Sequence, residues 1–322
     1  MNTKRILQLL MACLLVLAMA ACTKKKTEDN DATGTAGTTS TAGATNETGT
    51  VYPLTITDRE GITTTLPKVP ERIVSISPAI TETVAALGRL DALVGRTTFC
   101  DYPAGVSAVA DIGELYEPNI EAIIALEPDV ILLSAHTNPS VPQALRDAGM
   151  KVIRIYGDES FDGAYEMVRT VAEILDTSAQ AETLVSNMQA KIADIESKVK
   201  DLPAKTVYYC VSAGEFGDYT ATGDTYVDAM LEKAGGINIA KDATGWAYSL
   251  EQLIEKDPEV IIASELAGYK ALLPNMAGYQ DLTAVKNGNV IEIDTNPIDR
   301  IGPRFADGLE LLARAIHPEA FK

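Results

Sequence analysis

The sequence predicts an α/β protein with two lobes, each built on a parallel sheet and joined to the other by a single long α-helix. Three observations lead to this fold class. Short apolar segments alternate with amphipathic helical segments in both halves of the chain, which is typical of parallel sheets covered by helices. One sequence string occurs at corresponding places in the two halves, and an uninterrupted helical pattern separates them.

The N-terminus has the features of an export signal. Lys4 and Arg5 precede an apolar run over residues 6–21, which is short for a membrane span. The run ends in Met19-Ala20-Ala21-Cys22, where small residues before a cysteine resemble a bacterial lipobox. We therefore predict a lipoprotein signal peptide over residues 1–22, with lipidation of Cys22. The protein is then expected outside the cytoplasm, anchored to the outer face of the cell membrane or located in the periplasm.

A polar segment follows the predicted anchor. Residues 23–50 are rich in Thr, Gly and Ala and nearly free of large apolar side chains, so they cannot bury enough surface to offset chain entropy. We expect a disordered linker between the lipid and the folded body. The formal net charge of −18 argues against nucleic acid as a partner. We expect a monomer.

The N-terminal lobe is predicted over residues 51–177. A hairpin is expected around the turn Asp58-Arg59-Glu60-Gly61, because alternating residues flank it. Strands are predicted at 72–77, 91–95, 129–134 and 151–156, and helices at 80–88, 120–126, 142–149 and 162–175.

The joining helix is predicted over residues 178–203. Apolar residues recur at steps of three and four along it, and neither Gly nor Pro interrupts the pattern before Pro203. A helix of this length spans about 36 Å at 1.5 Å per residue. Its place between two similar halves favours a strut that joins the lobes.

The C-terminal lobe is predicted over residues 204–322, with strands at 206–212, 259–264 and 289–294 and helices at 225–235, 250–256 and 305–316. The strings 119–132 and 249–262 align without a gap, and in both a proline follows the glutamate at the same distance. This repeat predicts pseudo-symmetric lobes. Cys100 and Cys210 then fall in different lobes, which favours two buried free thiols over a disulfide, although an exported protein permits one.

Four blocks, taken in order, resemble the cobalamin and iron-siderophore class of substrate-binding proteins of ABC importers. They are RIVSISPAITETVAALG (72–88), PNIEAIIALEPDVIL (118–132), AGGINIA (234–240) and GPRFADGLELLARAIHPE (302–319). The resemblance implies two Rossmann-like lobes bridged by a rigid helix, with a ligand cleft between them. In open α/β sheets ligands gather at the carboxyl ends of the strands, so two facing sheet edges suit a bulky ligand.

The resemblance also assigns a role to two aligned glutamates. Glu121 and Glu251 lie where this family places acidic contacts for arginines of the permease, one on each lobe. Carboxylates on separate lobes would fix the orientation in which the protein docks onto the permease, and their charge would speed the encounter between the two. The alternative is that each glutamate merely stabilises a helix N-terminus through the macrodipole.

Aromatic residues in the predicted cleft loops are candidates for ligand contact. Phe99 lies in a Phe-Cys-Asp-Tyr-Pro string similar to a segment of the cobalamin-binding members. Tyr116 precedes the first docking helix, and Trp246 and Tyr248 precede the second. Trp246 is the only tryptophan of the chain and follows a glycine in a loop, where aromatic faces commonly serve binding. Burial in packing is the alternative for each.

Polar residues add three further candidates. His136 follows a strand and is either a ligand to haem iron or a hydrogen-bonding loop residue. Asn296 and Arg300 follow the last strand and are expected to reach the cleft. Arg300 either pairs with an oxygen of the ligand or forms an internal salt bridge. With two histidines in the chain, a multi-histidine metal site is excluded, and no cofactor or metal is predicted.

These observations predict capture of a corrinoid such as cobalamin and its delivery to an importer permease. A ferric siderophore and haem are the alternatives within the class, since fold alone does not choose a substrate. No nucleophile elbow, phosphate-binding loop or zinc-binding histidine motif is present, so an enzyme is not expected. An adhesin or sensor ectodomain would share the anchor.

Overall fold

A computed structural model of the chain describes residues 49–215 and 217–322. The predicted signal peptide, Cys22 and nearly all of the predicted linker lie outside the described residues. Within these ranges no helix is both long enough and apolar enough to cross a membrane.

The folded body opens with the predicted hairpin. Strands β1 (Leu54–Thr57) and β2 (Thr63–Leu66) pair antiparallel. The carboxylate of Asp58 accepts hydrogen bonds from the backbone nitrogens of Glu60 at 3.0 Å and Ile62 at 2.9 Å, which fixes the turn. Arg146 pairs with Asp58 at 3.1 Å, so the hairpin is tied to the body of the N-terminal lobe.

The N-terminal lobe has a fully parallel sheet in the order β5-β4-β3-β6-β7. Its strands are β3 (Ile73–Ile76), β4 (Leu93–Arg96), β5 (Ala110–Asp111), β6 (Val130–Leu133) and β7 (Val152–Arg154). Its helices are α1 (Pro78–Ala86), α2 (Ile120–Ala125), α3 (Ser140–Asp147) and α4 (Phe161–Leu175). All residues of β3 and β6 are buried because helices cover both faces of the sheet.

The joining helix, α5 (Ser178–Val199), is one continuous helix of 22 residues. It buries Ala181, Val185, Met188, Ile192, Ile195 and Val199, an apolar stripe at helical spacing. The helix ends at Val199, before the predicted boundary at 203, because the chain turns at residues 201–202 ahead of Pro203.

The C-terminal lobe has a second sheet in the order β10-β8-β11-β12. Its strands are β8 (Lys205–Ser212), β9 (Tyr219–Thr220), β10 (Gly236–Asn238), β11 (Val260–Ser264) and β12 (Val290–Ile293). The short β9 pairs antiparallel with β8, so this sheet is mixed at one place. Its helices are α6 (Tyr226–Lys233), α7 (Leu250–Lys256), α8 (Tyr269–Leu272), α9 (Thr283–Lys286), α10 (Asn296–Asp299) and α11 (Phe305–Ile316).

The predicted fold class is confirmed, with one addition: the lobes also pack directly against each other. A single apolar cluster runs from the N-terminal lobe through α4, α5 and α11 into the C-terminal lobe. Phe161 of α4 packs against Phe305 of α11 in a tilted arrangement with ring centroids 4.9 Å apart, and the ring of Tyr226 lies 5.8 Å from that of Phe305. Because this interface is apolar and continuous, it resists relative movement of the lobes.

Candidate functional site

A cavity of about 540 Å³ lies between the two lobes. The N-terminal lobe supplies residues that follow the carboxyl ends of β3, β6 and β7, among them Pro78, His136 and Tyr156. The C-terminal lobe supplies Tyr226, Trp246 and residues 299–301, at the end of α10. The site therefore forms where strand ends of an α/β sheet expose loop backbone and side chains.

The loop that carries His136 is held from behind by an arginine. The Arg154 guanidinium donates to the carbonyl oxygens of Ser134 at 3.2 Å, Ala135 at 3.1 Å and Thr137 at 3.4 Å. Glu60, in the hairpin turn, pairs with the same guanidinium. His136 itself is exposed and lines the cavity. A planar guanidinium with several donors is suited to fixing three carbonyls at once.

Trp246 contributes an aromatic face from the C-terminal lobe. Its backbone has φ of 68°, in the left-handed region that residues with a side chain rarely adopt. The Trp246 nitrogen donates to the Thr222 hydroxyl at 3.1 Å, and its carbonyl accepts from the Thr220 nitrogen at 2.8 Å. These bonds stabilise the unusual backbone conformation of a residue whose half-buried indole lines the cavity.

Two carboxylates, one from each lobe, line the cavity together with Tyr226. Glu159 follows β7 in the N-terminal lobe, and Asp299 ends α10 in the C-terminal lobe. Burial raises the pKa of the Tyr226 hydroxyl, and the charges of Asp299 and Glu159 raise it further. Partial burial also raises the pKa of Asp299 above the usual carboxyl range; nearby Asp294 adds to this, whereas a hydrogen bond from Thr295 and the charge of Arg300 oppose it.

An ion network connects the lobes beside the cavity. Glu82 of α1 has a fully buried side chain and accepts two hydrogen bonds from Arg304, at 2.8 Å and 2.7 Å. Arg300 donates to Glu82 at 2.8 Å and to Asp101 at 2.6 Å. The hydrogen bond from Arg300 lowers the pKa of the Asp101 carboxyl.

Arg300 therefore takes the second of its two predicted roles in this structure. It lines the cavity, but its guanidinium is occupied by Glu82, Asp101 and the carbonyl oxygen of Phe99 at 3.1 Å. Two arginines face two carboxylates in this network, so their formal charges cancel. Arg304 also lies 4.1 Å from the ring centroid of Tyr102, which adds a cation–π contact.

Tyr248 is a core residue in the structure, which corrects its assignment to the cleft. Its side chain is buried, its ring lies 6.1 Å from that of Tyr208, and its hydroxyl donates to the Ile239 carbonyl at 3.2 Å. It does not line the cavity. The residue lies two positions after Trp246 in extended chain entering α7, and an apolar cluster of the C-terminal lobe encloses it.

Three other predicted contacts lie beside the cavity lining. Phe99 and Tyr116 are large exposed aromatics, at 49% and 57% exposure, and Tyr116 directly follows the lining residue Leu115. Asn296 is half-buried at the start of α10, where its backbone nitrogen donates to Asp294 at 3.0 Å. As contacts to a ligand these residues stay predictions.

The two aligned glutamates occupy equivalent positions in the fold. Glu121 lies in the first turn of α2 and Glu251 in the first turn of α7, and both are exposed. Each helix has a polar N-cap, with Asn119 accepting from Ala122 at 3.0 Å and Ser249 accepting from Gln252 at 3.3 Å. The N-caps already satisfy a backbone donor in each helix, so the carboxylates are free to point to solvent.

Four lining residues are not among those that the sequence predicted for the site: Tyr156, Tyr226, Glu159 and Asp299. Tyr156 and Glu159 follow β7, and Asp299 follows β12. Because ligands in α/β folds bind beyond the carboxyl ends of strands, these three positions could have been predicted from the sequence. Tyr226 begins a helix and carried no such signal.

Within the described ranges, no group of three or more His, Cys, Asp or Glu side chains is placed to hold a metal ion. Cys100 and Cys210 are buried and free, as predicted.

The model of the periplasmic binding protein family matches residues 73–297, and the chain belongs to this family. Its members are non-enzymatic transport components, which agrees with the prediction that the chain is not an enzyme. The chain is accordingly a substrate-binding protein of the ABC importer class, whose relatives act outside the cytoplasm.

Known proteins similar to the chain include a transport lipoprotein and proteins named for the ligands they bind. The chain is 33% identical over 279 residues to an uncharacterised ABC transporter substrate-binding lipoprotein of Bacillus subtilis (strain 168), covering 84% of this chain and 88% of that protein. It is 31% identical to a cobalamin-binding protein of Halobacterium salinarum, covering 83% and 74%. The crystal structure of a possible iron-binding, periplasmic solute-binding protein of Staphylococcus epidermidis superimposes with a TM-score of 0.70 at 30% identity, covering 78% and 100%.

Proposed function

We propose that the chain captures a corrinoid in the cavity between its lobes and delivers it to the permease of an ABC importer. The observation that carries this proposal is a cavity walled by aromatic side chains from both lobes, including Tyr156, Tyr226 and Trp246. Flat aromatic faces suit a macrocycle, because they bury large apolar area with little loss of side-chain freedom. The relative named as a cobalamin-binding protein supports the same ligand.

Anionic ligands fit the cavity less well. A catecholate siderophore or a haem carrying propionates needs basic side chains that converge on it. Among the described residues that line the cavity, Arg300 carries the one permanent positive charge, and Glu82 and Asp101 already neutralise it. Haem is the second candidate, because His136 is exposed in the cavity and imidazole is a common iron ligand.

Native mass spectrometry and equilibrium dialysis with cyanocobalamin, cobinamide, haem and ferric siderophores test the ligand. We expect a one-to-one complex with at least one of the two corrinoids at micromolar concentration or below. Replacing His136 by Ala then leaves corrinoid affinity within about threefold and removes haem binding if haem binds at all. A protein that binds haem or a siderophore but neither corrinoid would contradict the assignment.

We propose that Glu121 and Glu251 dock the two lobes onto the permease. Their support is exposure, equivalent placement on α2 and α7, and the charge that arginines of a partner would recognise. The double substitution Glu121→Lys and Glu251→Lys is expected to abolish uptake in cells and to leave ligand affinity unchanged, since neither residue lines the cavity.

The matched control is Glu114→Lys with Glu255→Lys, which makes the same charge change at exposed carboxylates of the same two lobes. Uptake by the control is expected to stay near the wild-type rate. Normal uptake by the Glu121/Glu251 variant, or equal loss in the control, would show that docking does not depend on this pair.

We further propose that Cys22 carries a lipid that anchors the protein. The support is the apolar run and the small residues before Cys22, together with the lipoprotein name of the Bacillus relative. In cells supplied with labelled fatty acid, wild-type protein is expected to incorporate label and Cys22→Ser is not. Unchanged labelling of Cys22→Ser would refute the anchor site, and Cys13→Ser serves as the control.

A further inference from the structure

We propose that the cavity selects a ligand with net positive charge, with Asp299 and Glu159 as the residues that determine this preference. The inference rests on the proposed binding role of the cavity and specifies the charge class of its ligand. It follows from three features of the described residues: the charges left uncompensated, their position across the cavity, and the aromatic faces around them.

The charge balance of the cavity is acidic. Its lining contains the carboxylates of Asp158, Glu159 and Asp299. The opposing charge of Arg300 is cancelled within the network described above. Arg304, the next basic side chain beside it, is likewise held by Glu82. Any anion entering the cavity therefore meets uncompensated negative charge.

Asp158 contributes less to this selection than the other two carboxylates. It lies 3.7 Å from Arg59, and its side chain is 85% exposed, so water and the arginine screen it. Glu159 and Asp299 form no ion pair within the described residues. Asp299 is exposed at the cavity, so a charge bound there can reach its carboxylate.

The two uncompensated carboxylates come from opposite lobes. Glu159 of the N-terminal lobe and Asp299 of the C-terminal lobe line the same cavity as Tyr226. A cation that enters the cavity is therefore attracted by carboxylates of both lobes.

The aromatic walls favour the same charge. Tyr156, Tyr226 and Trp246 line the cavity, and the faces of such rings carry negative electrostatic potential. A cation over an aromatic face gains attraction that a neutral or anionic group does not, and the gain is larger where water is excluded. Carboxylates and aromatic faces together therefore distinguish a cationic ligand from a neutral one of the same shape.

Two pairs of probes that differ in charge and little else test the proposal on purified full-length protein. Aquacobalamin at mildly acidic pH carries one positive charge, and cyanocobalamin is neutral. Ferrioxamine B carries one positive charge on its free amine, and its N-acetyl derivative is neutral. The iron of ferrioxamine is fully coordinated, so the second pair separates charge from any exchange of a metal ligand with His136.

We expect each cationic probe that binds to do so about fivefold more tightly than its neutral partner at low salt, as measured by equilibrium dialysis. The ratio is expected to shrink as ionic strength rises, because salt screens the carboxylates. Asp299→Asn and Glu159→Gln should each lower the ratio, and the double variant should bring it close to one. Asp201→Asn, which removes an exposed carboxylate outside the cavity, should leave the ratio unchanged.

The outcomes separate this inference from the proposed corrinoid ligand. Equal affinity of wild-type protein for both members of a bound pair, or a ratio that salt does not change, would overturn charge selection and leave the corrinoid assignment standing. Preference for ferrioxamine B with no binding of either corrinoid would support charge selection and refute the corrinoid. Failure of both cationic probes to bind would overturn the inference.

Discussion

At the scale of single residues, Trp246 and Tyr248 illustrate how the fold divides neighbouring aromatics between site and core. Trp246 is held at positive φ by hydrogen bonds to Thr222 and Thr220 and lines the cavity. Tyr248, two positions later, points into the C-terminal lobe and donates to Ile239. Residues two apart in extended chain point in similar directions, so the change of direction comes from the backbone conformation at Trp246.

We therefore expect opposite effects from substituting the two residues. Trp246→Ala should weaken ligand binding about tenfold or more, since an aromatic face is lost, and should change stability little. Tyr248→Ala should lower the free energy of unfolding by about 3 kcal/mol because it leaves a cavity in the core. Calorimetric titration and denaturant unfolding measure the two effects. Strong loss of affinity in the conservative variant Tyr248→Phe would contradict the core assignment.

Contacts between residues that are far apart in the chain could not be predicted from the sequence. The chemistry of Arg300 allowed either a ligand contact or an internal bridge, and nothing in the local sequence revealed that Glu82 and Asp101 approach it from the other lobe. Such partners lie about two hundred positions away in the chain. Tyr226 was missed for the same reason, since only the packing of the lobes brings it to the cavity.

At the scale of elements, the sequence predicted the arrangement well wherever periodicity was strong. The uninterrupted pattern after residue 178 is a single helix, and the principal strands form with boundaries shifted by one or two residues. The short strands β5, β9 and β10 were missed, because segments of two or three residues carry no periodicity. The antiparallel β9 depends on its pairing with β8, which local sequence does not encode.

The ion network connects Glu82 of α1 to Arg304, the residue directly before α11, and its removal can be tested. Glu82→Ala would leave Arg304 partly buried without its carboxylate and remove one of the two carboxylate partners of Arg300. We expect a loss of about 3 kcal/mol in the free energy of unfolding, since removal of one partner from a buried ion pair is costly. Denaturant unfolding measures it.

The comparison variant is Glu166→Ala, which removes an exposed carboxylate paired with Arg59 at 3.3 Å. Its cost should stay within about 0.5 kcal/mol. If Glu82→Ala proved as mild as Glu166→Ala, the network beside the cavity would contribute nothing to holding the lobes together.

At the scale of the whole molecule, the lobes are held in three ways: by the continuous helix α5, by a shared apolar core through Phe161 and Phe305, and by the ion network around Glu82. The sequence predicted the first of these and gave no sign of the other two. All three resist bending, so ligand entry is expected to involve loops and small rocking motions of the lobes. Such rigidity also keeps Glu121 and Glu251 at a fixed separation, which the proposed docking onto a permease requires.

Fluorescence of Trp246 reports whether the ligand lies in the cavity between the lobes. The chain has one tryptophan, and that residue lines the cavity, so its emission reports on occupation of this site. Titration with aquacobalamin is expected to quench the emission in a saturable curve with one-to-one stoichiometry, by energy transfer to the corrin ring. Binding of the same corrinoid measured by equilibrium dialysis with no change in Trp246 emission would place the ligand elsewhere and contradict the account.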